Sequence, residues 1–349
     1  MTKIRAAISG THSLSEELIR KILDCKYGRD NITPVQELFH KESAELVLLQ
    51  ESANFPVVSS GFLGLEDLIR PFTRSLDSFK SYHDLGDLPI IRWHYTNTFY
   101  RQPTLVDKFP EDSRIILDDK HSLSGGSAYS HEAVKGNTSR IVVPGPFSLI
   151  SLVNRGDQED VKSLYPDLNA LIEASGQFLA QELAKLPSNY VEIQFDEPAL
   201  VWKNFSRQLR PSIKQAYEHI QSAVGNKKTI INTYFENIMP ILRFLLELPV
   251  DGIGIDLIAT NLVHLTTVSF EGKILQAGVI NAKNYVPTPT GDLNQSQMDF
   301  FASLSESLIK LHPDELIVTT NTGLEYLPKP IADSCLHLLS NIVKEVENK

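Results

Sequence analysis

The chain has 349 residues, of which 42% are hydrophobic and 22% are charged, and its formal net charge is −10. This length predicts one large α/β barrel or two ordinary domains, and the acidic balance, with no run of Lys and Arg, argues against nucleic-acid binding. Cys25 and Cys335 form no disulfide framework or metal spacing, and no apolar run is long enough for a signal peptide or a membrane span, so we expect a cytoplasmic protein with no membrane contact.

Short β-rich runs alternate with longer amphipathic stretches along the chain. The predicted strands cover residues 5–10, 55–60, 139–144, 190–195, 228–232, 252–256, 273–280 and 316–320. Apolar residues at helical spacing predict helices after Asp157 as far as Leu183 and over residues 213–224, 237–248, 297–311 and 331–346. Parallel strands with helical crossovers follow from this alternation, and about eight such units make a (β/α)8 TIM barrel. We therefore predict an α/β fold with one barrel domain over residues 1–349.

One segment, residues 72–131, interrupts the alternation after the second predicted strand. Its residues 88–101 are rich in aromatic and β-branched side chains, and the remainder is polar. Because it leaves from the C-terminal end of a strand, we expect this insertion near the barrel mouth. Its aromatic faces and cations suit a flat, anionic ligand, and a hairpin that packs on the barrel rim explains them equally. The candidate contact residues are Arg92, Trp93, Tyr95, Asn97 and Tyr100.

The strand at residues 190–195 is followed by two acids, Asp196 and Glu197. Adjacent strand residues point to opposite faces, so only one of them can face the barrel axis. Pro198 suits the first position of a helix, which would make Glu197 a partner of that helix's N-terminus. Asp196 is then the candidate to receive a ligand ammonium group, although a carboxylate bound to neighbouring backbone is the alternative.

Other predicted strands also end in polar side chains. The turn at residues 143–147 either lets a ligand approach closely or only joins a strand to a helix, with Ser148 as its cap. Because C-terminal strand ends converge at a barrel mouth, the polar residues together outline a site for a small polar ligand. The residues concerned are Asn232, Asp256, Lys283 and Asn321. No His pair at a spacing of four and no metal-ligand spacing is present.

The chain resembles the cobalamin-independent methionine synthase family over almost its whole length. The similarity lies in residues 9–11, 86–103, 143–147, 194–200, 233–237, 254–257, 277–284 and 322–324. The resemblance implies a (β/α)8 barrel and methyl transfer from a folate or a corrinoid to a thiol that zinc activates. It also implies that Asp196 meets the substrate amino group and that Gly10 and Thr11 continue the Gly-Ser pair of the first strand. The aromatic insertion would then contact the folate.

The family's zinc ligands are mostly missing from this sequence. The His-x-Cys ligands fall on Ile231 and Thr233, the second cysteine falls on Thr322, and only the carboxylate survives, as Asp256. The family's other site positions fall on Lys283 and Phe62. Full-length family members have a first barrel that lacks zinc and carries Thr-Tyr-Phe, as in residues 233–235 here, so the chain resembles a free-standing copy of that first barrel.

Three functions follow from this resemblance. The chain is expected to be a zinc-free accessory barrel that binds a folate or an amino acid and works with a separate zinc-bearing barrel. It could instead be an active methyltransferase that uses another acceptor or activates one without zinc, in which Lys283 lowers the pKa of a thiol or pairs with an acceptor carboxylate. The third reading is a binding module without turnover. We expect no tightly bound cofactor and no zinc, with methyl-folate or methylcobalamin as a possible co-substrate.

Overall fold

A computed structural model describes residues 2–80, 89–92, 99–118, 122–155, 159–202 and 205–347. No helix in this part of the chain is long and apolar enough to cross a membrane. Eleven strands are described: β1 (Lys3–Ala6), β2 (Phe79–Lys80), β3 (Ile90–Arg92), β4 (Phe99–Arg101), β5 (Thr104–Leu105), β6 (Ser139–Pro144), β7 (Tyr190–Asp196), β8 (Lys228–Thr233), β9 (Gly252–Asp256), β10 (Ile274–Ile280) and β11 (Glu315–Thr320).

Seven of these strands form one parallel sheet in the order β1-β11-β10-β9-β8-β7-β6. The register pairs Ala6 with Val318 at one end of the sheet and Pro144 with Asp196 at the other. A single parallel bridge between Val58 and Ser139 supplies the eighth position next to β6. The strands thus follow chain order around the sheet, which confirms the predicted TIM barrel.

The second predicted strand, residues 55–60, is therefore reduced to one bridge. Pro56 lacks an N–H for the ladder. The side chain of Gln50 binds both the N–H and the C=O of Ser59, at 2.9 and 2.7 Å, and so takes over groups that a neighbouring strand would use. The hydrogen bonds from Gln50 therefore outweigh the tendency of this segment to form a strand.

The helices pack outside the sheet. They are α1 (Glu16–Lys26), α2 (Thr33–Ser52), α3 (Arg70–Ser75), α4 (Pro146–Ser151), α5 (Glu159–Leu164), α6 (Leu168–Leu183), α7 (Arg210–Ala223), α8 (Leu242–Leu246), α9 (Leu262–Leu265), α10 (Gln295–Ile309) and α11 (Lys329–Glu347).

Two helices differ from their predicted extent, and proline accounts for both differences. The pattern that ends at Leu183 is divided between α5 and α6, because Pro166 cannot continue a helix and Asp167 caps α6 by accepting from the Ala170 N–H. The predicted helix over residues 237–248 shrinks to α8, since Pro240 keeps the residue before it out of helical conformation.

The interior of the barrel is more polar than is usual for this fold. A small apolar layer of Ala7, Ile230, Ile274 and Ile317 is separate from the main core between sheet and helices. Beside it, β7 directs Glu192, Gln194 and Asp196 toward the axis at alternate positions, and all three side chains are buried. TIM barrels usually fill this space with branched apolar side chains, so the polar column is a specific property of this chain.

The insertion extends from the barrel mouth toward the opposite end, so only part of it lies where the sequence analysis placed it. The strand β4 borders the mouth cavity. Further along the chain, His131 bonds to the hydroxyl of Tyr190, at the start of β7, and to the carbonyl of Ile116. Glu182 of α6 accepts from the Ile116 N–H at 3.0 Å. The insertion therefore covers the outer face of the barrel where a helix of the second unit would pack.

Candidate functional site

A cavity of about 1080 Å³ opens at the C-terminal ends of the strands. Its floor is formed by residues that follow or end β1, β6, β7, β8 and β11, and it extends outward between α1 and the insertion. The floor residues are Gly10, Thr11, Val142, Asp196, Tyr234, Thr322, Gly323 and Glu325. Ligand pockets are commonly found at this end of a TIM barrel, and the cavity is the candidate site.

Asp196 is the central polar group of the floor. Its side chain is only 6% exposed and accepts hydrogen bonds from Gln194 Nε2 at 2.8 Å, Asn232 Nδ2 at 3.2 Å and the Tyr234 hydroxyl at 3.3 Å. Burial raises the pKa of the Asp196 carboxyl to about 7, although these donors favour the charged form. The carboxyl group is therefore divided between its two protonation states near neutral pH, and a bound cation would favour the carboxylate.

A buried hydrogen-bonded column beneath Asp196 fixes its position. Gln276 Nε2 donates to Gln194 at 3.0 Å and to Asn232 Oδ1 at 3.2 Å. Arg140 donates to Gln194 at 3.1 Å and to Gln276 at 2.7 Å. Because each amide is held at both ends, the donors that face Asp196 have little freedom to turn away.

Glu325 is a second carboxyl group on the floor, and the sequence analysis did not identify it. Its side chain is exposed to the cavity. Because the cavity walls limit its contact with bulk water, its pKa is raised to about 7. The charge of Asp196 raises this pKa further, and Lys283 lowers it. The resemblance at residues 322–324 placed this loop at the mouth, and the acid that follows it was the available signal.

Gly10 and Thr11 both border the cavity beside this loop. The Thr11 carbonyl accepts from the Leu324 N–H at 2.7 Å. A Cβ at Gly10 would lie 3.1 Å from Cα of Gly323, so the two segments approach more closely than most side chains allow. The predicted pair therefore forms part of the cavity wall through its backbone.

Asn232 lies beneath the floor rather than in the wall. Its amide bonds to Asp196 and, at 3.3 Å, to the Ser9 hydroxyl. It is consequently placed to orient Asp196, and direct contact with a ligand stays a prediction.

Asp256 and Asn321 form a separate group outside the wall of this cavity. Asp256 accepts from the backbone N–H groups of Phe235, Ile258 and Ala259 at 2.9–3.1 Å and from Asn321 Nδ2 at 3.1 Å. Burial raises the pKa of Asp256, and these donors oppose the shift. Its oxygens hold the turns after β8 and β9 in place, and a role of either residue in ligand binding is not tested by this placement.

Lys283 lies close to the same group. Its Nζ is 4.1 Å from the centre of the Phe235 ring and 6.0 Å from that of Tyr326. Phe235 has φ of +78°, a strained conformation for a residue with a side chain, and its N–H donates to Asp256. The lysine therefore covers a turn whose backbone is held by Asp256, while burial lowers the pKa of its ammonium group.

The residues at the family's zinc positions do not suit a zinc ion. Ile231 has no donor atom, Thr233 Oγ1 donates to the Gly254 carbonyl at 3.3 Å, and Asp256 is engaged as described. In the described part of the chain, no three His, Cys, Asp or Glu side chains come together in a group that could hold a metal. A zinc site needs about four such ligands with few competing bonds, so no step of a reaction is assigned to zinc here.

Glu197 points away from the cavity, as the alternation along β7 requires. Its predicted role at the start of its own helix is wrong: the carboxylate accepts from the N–H groups of Phe147 and Ser148 in α4, at 3.1 and 2.7 Å, and from the Tyr217 hydroxyl. A Cβ at Gly145 would collide with this carboxylate, which explains the glycine in the 143–147 turn. Gly145, and not Ser148, is the N-cap of α4, and the Ser148 hydroxyl accepts from the Ala199 N–H.

The aromatic insertion contributes Tyr100 to the cavity wall. The Tyr100 hydroxyl donates to the Leu152 carbonyl at 2.8 Å, so its polar end is already bonded. Arg92 lies in the exposed strand β3, which pairs with β4. Trp93, Tyr95 and Asn97 lie outside the described residues, and their contact with a ligand stays a prediction.

Comparisons with known proteins agree on one family. The family model for the N-terminal domain of the cobalamin-independent synthases matches residues 79–298. The 5-methyltetrahydropteroyltriglutamate–homocysteine methyltransferases of Streptococcus sanguinis and Streptococcus gordonii are each 32% identical to the chain over 234 residues. These matches cover 66% of this chain and 29% of each relative, so the chain spans less than a third of the length of these relatives.

Solved structures show the same fold over almost the whole chain. A B12-independent methionine synthase from Shewanella, in complex with selenomethionine, has a TM-score of 0.72 at 16% identity and covers 99% of this chain and 98% of its own. A putative vitamin-B12-independent methionine synthase from Listeria monocytogenes has a TM-score of 0.69 at 12% identity, with coverage of 99% and 98%. At these identities the likeness establishes the fold.

Proposed function

Because the chain belongs to the cobalamin-independent methionine synthase family, we propose that it is a zinc-free barrel of that family that binds an amino compound at its mouth and assists a separate zinc-bearing barrel. The ligand's ammonium group would contact Asp196, with Glu325 nearby. The observation that carries this proposal is the cavity floor, where a buried, pre-oriented carboxyl group faces open space.

The donor chemistry of the site supports the accessory role. Only the thiolate form of a thiol is a good methyl acceptor, and zinc supplies that form by binding the sulfur. Ile231, Thr233 and Thr322 occupy positions that hold zinc ligands in catalytic relatives by the resemblance above. A chain with this floor is suited to binding the amino compound, while the partner barrel would activate the thiol. Methyl-folate or methylcobalamin would be the methyl donor.

A second candidate is an active methyltransferase that uses another acceptor or activates its acceptor without zinc. It is favoured by one observation, the presence of two carboxyl groups, Asp196 and Glu325, on the floor of one cavity. Burial raises the pKa of Asp196 to about 7. Such a group accepts a proton near neutral pH, as a general base for an acceptor N–H or S–H must. Asp196 or Glu325 would then take the acceptor's proton as the acceptor displaces the folate or corrinoid from the methyl group.

The experiment is a methyl-transfer assay combined with metal analysis of one purified sample. Labelled methyltetrahydrofolate and methylcobalamin are tested with homocysteine, with and without zinc, and with a zinc-bearing barrel of the family. Transfer that this chain increases only in the presence of the zinc barrel supports the accessory role, and transfer by the chain alone supports the second candidate. Stoichiometric zinc with activity would contradict both.

Binding without turnover would identify the third reading, a ligand-binding module. Calorimetry with homocysteine and methionine on wild type and Asp196→Asn tests the site itself. Loss of the carboxylate removes the partner of the ammonium group, so affinity should fall at least tenfold. Glu197→Gln is the matched control, since Glu197 is the next residue on β7 and faces away from the cavity.

A further inference from the structure

The cavity is larger than a small amino acid needs. Pockets of ~300–1000 Å³ hold drug-sized ligands, and this cavity has about 1080 Å³. Asp196, Tyr234 and Glu325 occupy its floor, so most of the space lies farther out, between α1 and the insertion.

The outer part of the cavity, which we call the outer arm, is apolar. It is bordered by six side chains from α1, α2 and the loops at residues 62–69 and 122–130: Ile19, Ile22, Phe39, Leu63, Leu68 and Leu123. Phe39 and Leu63 are 2% exposed and belong to a small core with Leu18 and Val35 that is separate from the main core. A packed wall of this kind is preformed, so burying an apolar group against it requires little reordering.

Charged groups also border the outer arm, and two ion pairs form between them. Lys26 lies 3.7 Å from Glu66, and Arg70 binds Asp67 through Nε at 3.1 Å and Nη2 at 2.9 Å. The charged residues that border this end are three cations and three anions, so they leave no net formal charge: Lys26, Arg70, Arg101, Glu16, Glu66 and Asp67. An anionic tail would gain little here, whereas a neutral apolar group would displace water from apolar surface.

We propose that the outer arm is an apolar subsite, and that the ligand is an amino compound whose substituent is larger and more apolar than that of homocysteine. The proposal rests on the ammonium-binding role of Asp196 and adds the class of ligand. The cavity joins the two ends, so one molecule would place its amine at Asp196 and its apolar substituent against Ile19, Ile22 and Leu63.

The test is calorimetric titration of the protein with methionine, ethionine and S-benzylhomocysteine, which carry the same amino acid group and increasing apolar size. Each buried methylene should increase affinity about fourfold, and the benzyl compound should bind at least tenfold more tightly than methionine. Ile19→Asp places a charge in the arm and should abolish this gain while leaving methionine affinity within about twofold.

Leu23→Asp is the matched control. Leu23 lies one turn farther along α1 and is 47% exposed, against 44% for Ile19, but it does not border the cavity. The control should keep the preference for the benzyl compound, and thermal melting verifies that both variants are folded.

Three results would overturn the proposal. Equal affinity for the three compounds would show that the outer arm is not an apolar subsite, and it would leave the proposed ammonium site unaffected. If Ile19→Asp weakened the binding of methyltetrahydrofolate and not that of S-benzylhomocysteine, the arm would belong to the methyl donor. Absence of binding by any amino compound would reject the proposed function as well.

Discussion

The two ends of the barrel interior bury charged groups in opposite ways. At the N-terminal end of the sheet, Arg5 and Arg140 bind Glu192, and Arg5 also binds Glu315, so two cations balance two anions. At the mouth, the buried Asp196 and the exposed Glu325 both face the cavity, and neither forms an ion pair with any described residue. Balanced buried charge is what a structural role requires, while a pre-oriented carboxyl group without a cation is suited to a cationic ligand.

The largest effect is expected where the balance is broken at the closed end. Arg140→Met leaves Glu192 with Arg5, which also binds Glu315, as its one remaining cation, and the free energy of unfolding should fall by about 3–5 kcal/mol. Urea denaturation measures it. Arg140→Met combined with Glu192→Gln restores the balance and should recover about half of the loss. Lys135→Met, which breaks the exposed Lys135–Glu132 pair, should cost less than about 1 kcal/mol. A smaller effect of Arg140→Met than of Lys135→Met would refute the distinction between the ends.

The contribution of the mouth to the free energy of unfolding should instead depend on pH. Burial raises the pKa of Asp196 to about 7, so the folded protein holds this proton more tightly than the unfolded chain does. The resulting stabilisation is complete below about pH 4 and is lost as the pH rises to about 7. The free energy of unfolding of Asp196→Asn, relative to that of wild type, should therefore increase by about 3 kcal/mol as the pH rises from 4 to 8. Denaturation curves at both pH values measure the gain, and a constant difference between the two proteins would contradict it.

The neighbouring acid provides a sharper contrast within one strand. Glu197→Gln replaces one of the two oxygens that accept backbone N–H groups by an amide nitrogen that cannot accept, so the free energy of unfolding should fall by about 1–3 kcal/mol. Ligand affinity should stay within about twofold of wild type. A variant that kept its stability but lost affinity would assign Glu197 to the site, contrary to its orientation.

The smallest effect is expected at Lys283, on the rim of the mouth. Its main contact is with the face of Phe235, and a cation over a ring at an exposed site contributes about 0.5–1 kcal/mol. Lys283→Met should therefore lower the unfolding free energy by less than about 1 kcal/mol. If it instead abolished methyl transfer in the assay above, Lys283 would act on the acceptor, and the second candidate function would gain support.

The amino-acid sequence by itself determined the barrel and its family. The alternation of β-rich runs with amphipathic helices predicted parallel strands, since side-chain periodicity is a local property that survives folding. The alternation of a strand predicted that only one of Asp196 and Glu197 faces the axis, and the helix signal of Pro198 favoured Asp196. The polar ends of the strands likewise indicated a polar mouth, and the family's zinc positions were readable because they fall within or beside segments that resemble the family.

Only the tertiary structure decided which of those polar residues share a cavity. Asp196 borders it, whereas the Asp256 carboxylate is engaged by backbone N–H groups of turns that come together only in the barrel. Glu325 joins Asp196 from far along the chain, and Gln50 replaces a strand partner of Ser59. Each of these outcomes depends on specific side-chain contacts, most of them between distant residues, and such contacts leave no periodic pattern in the sequence.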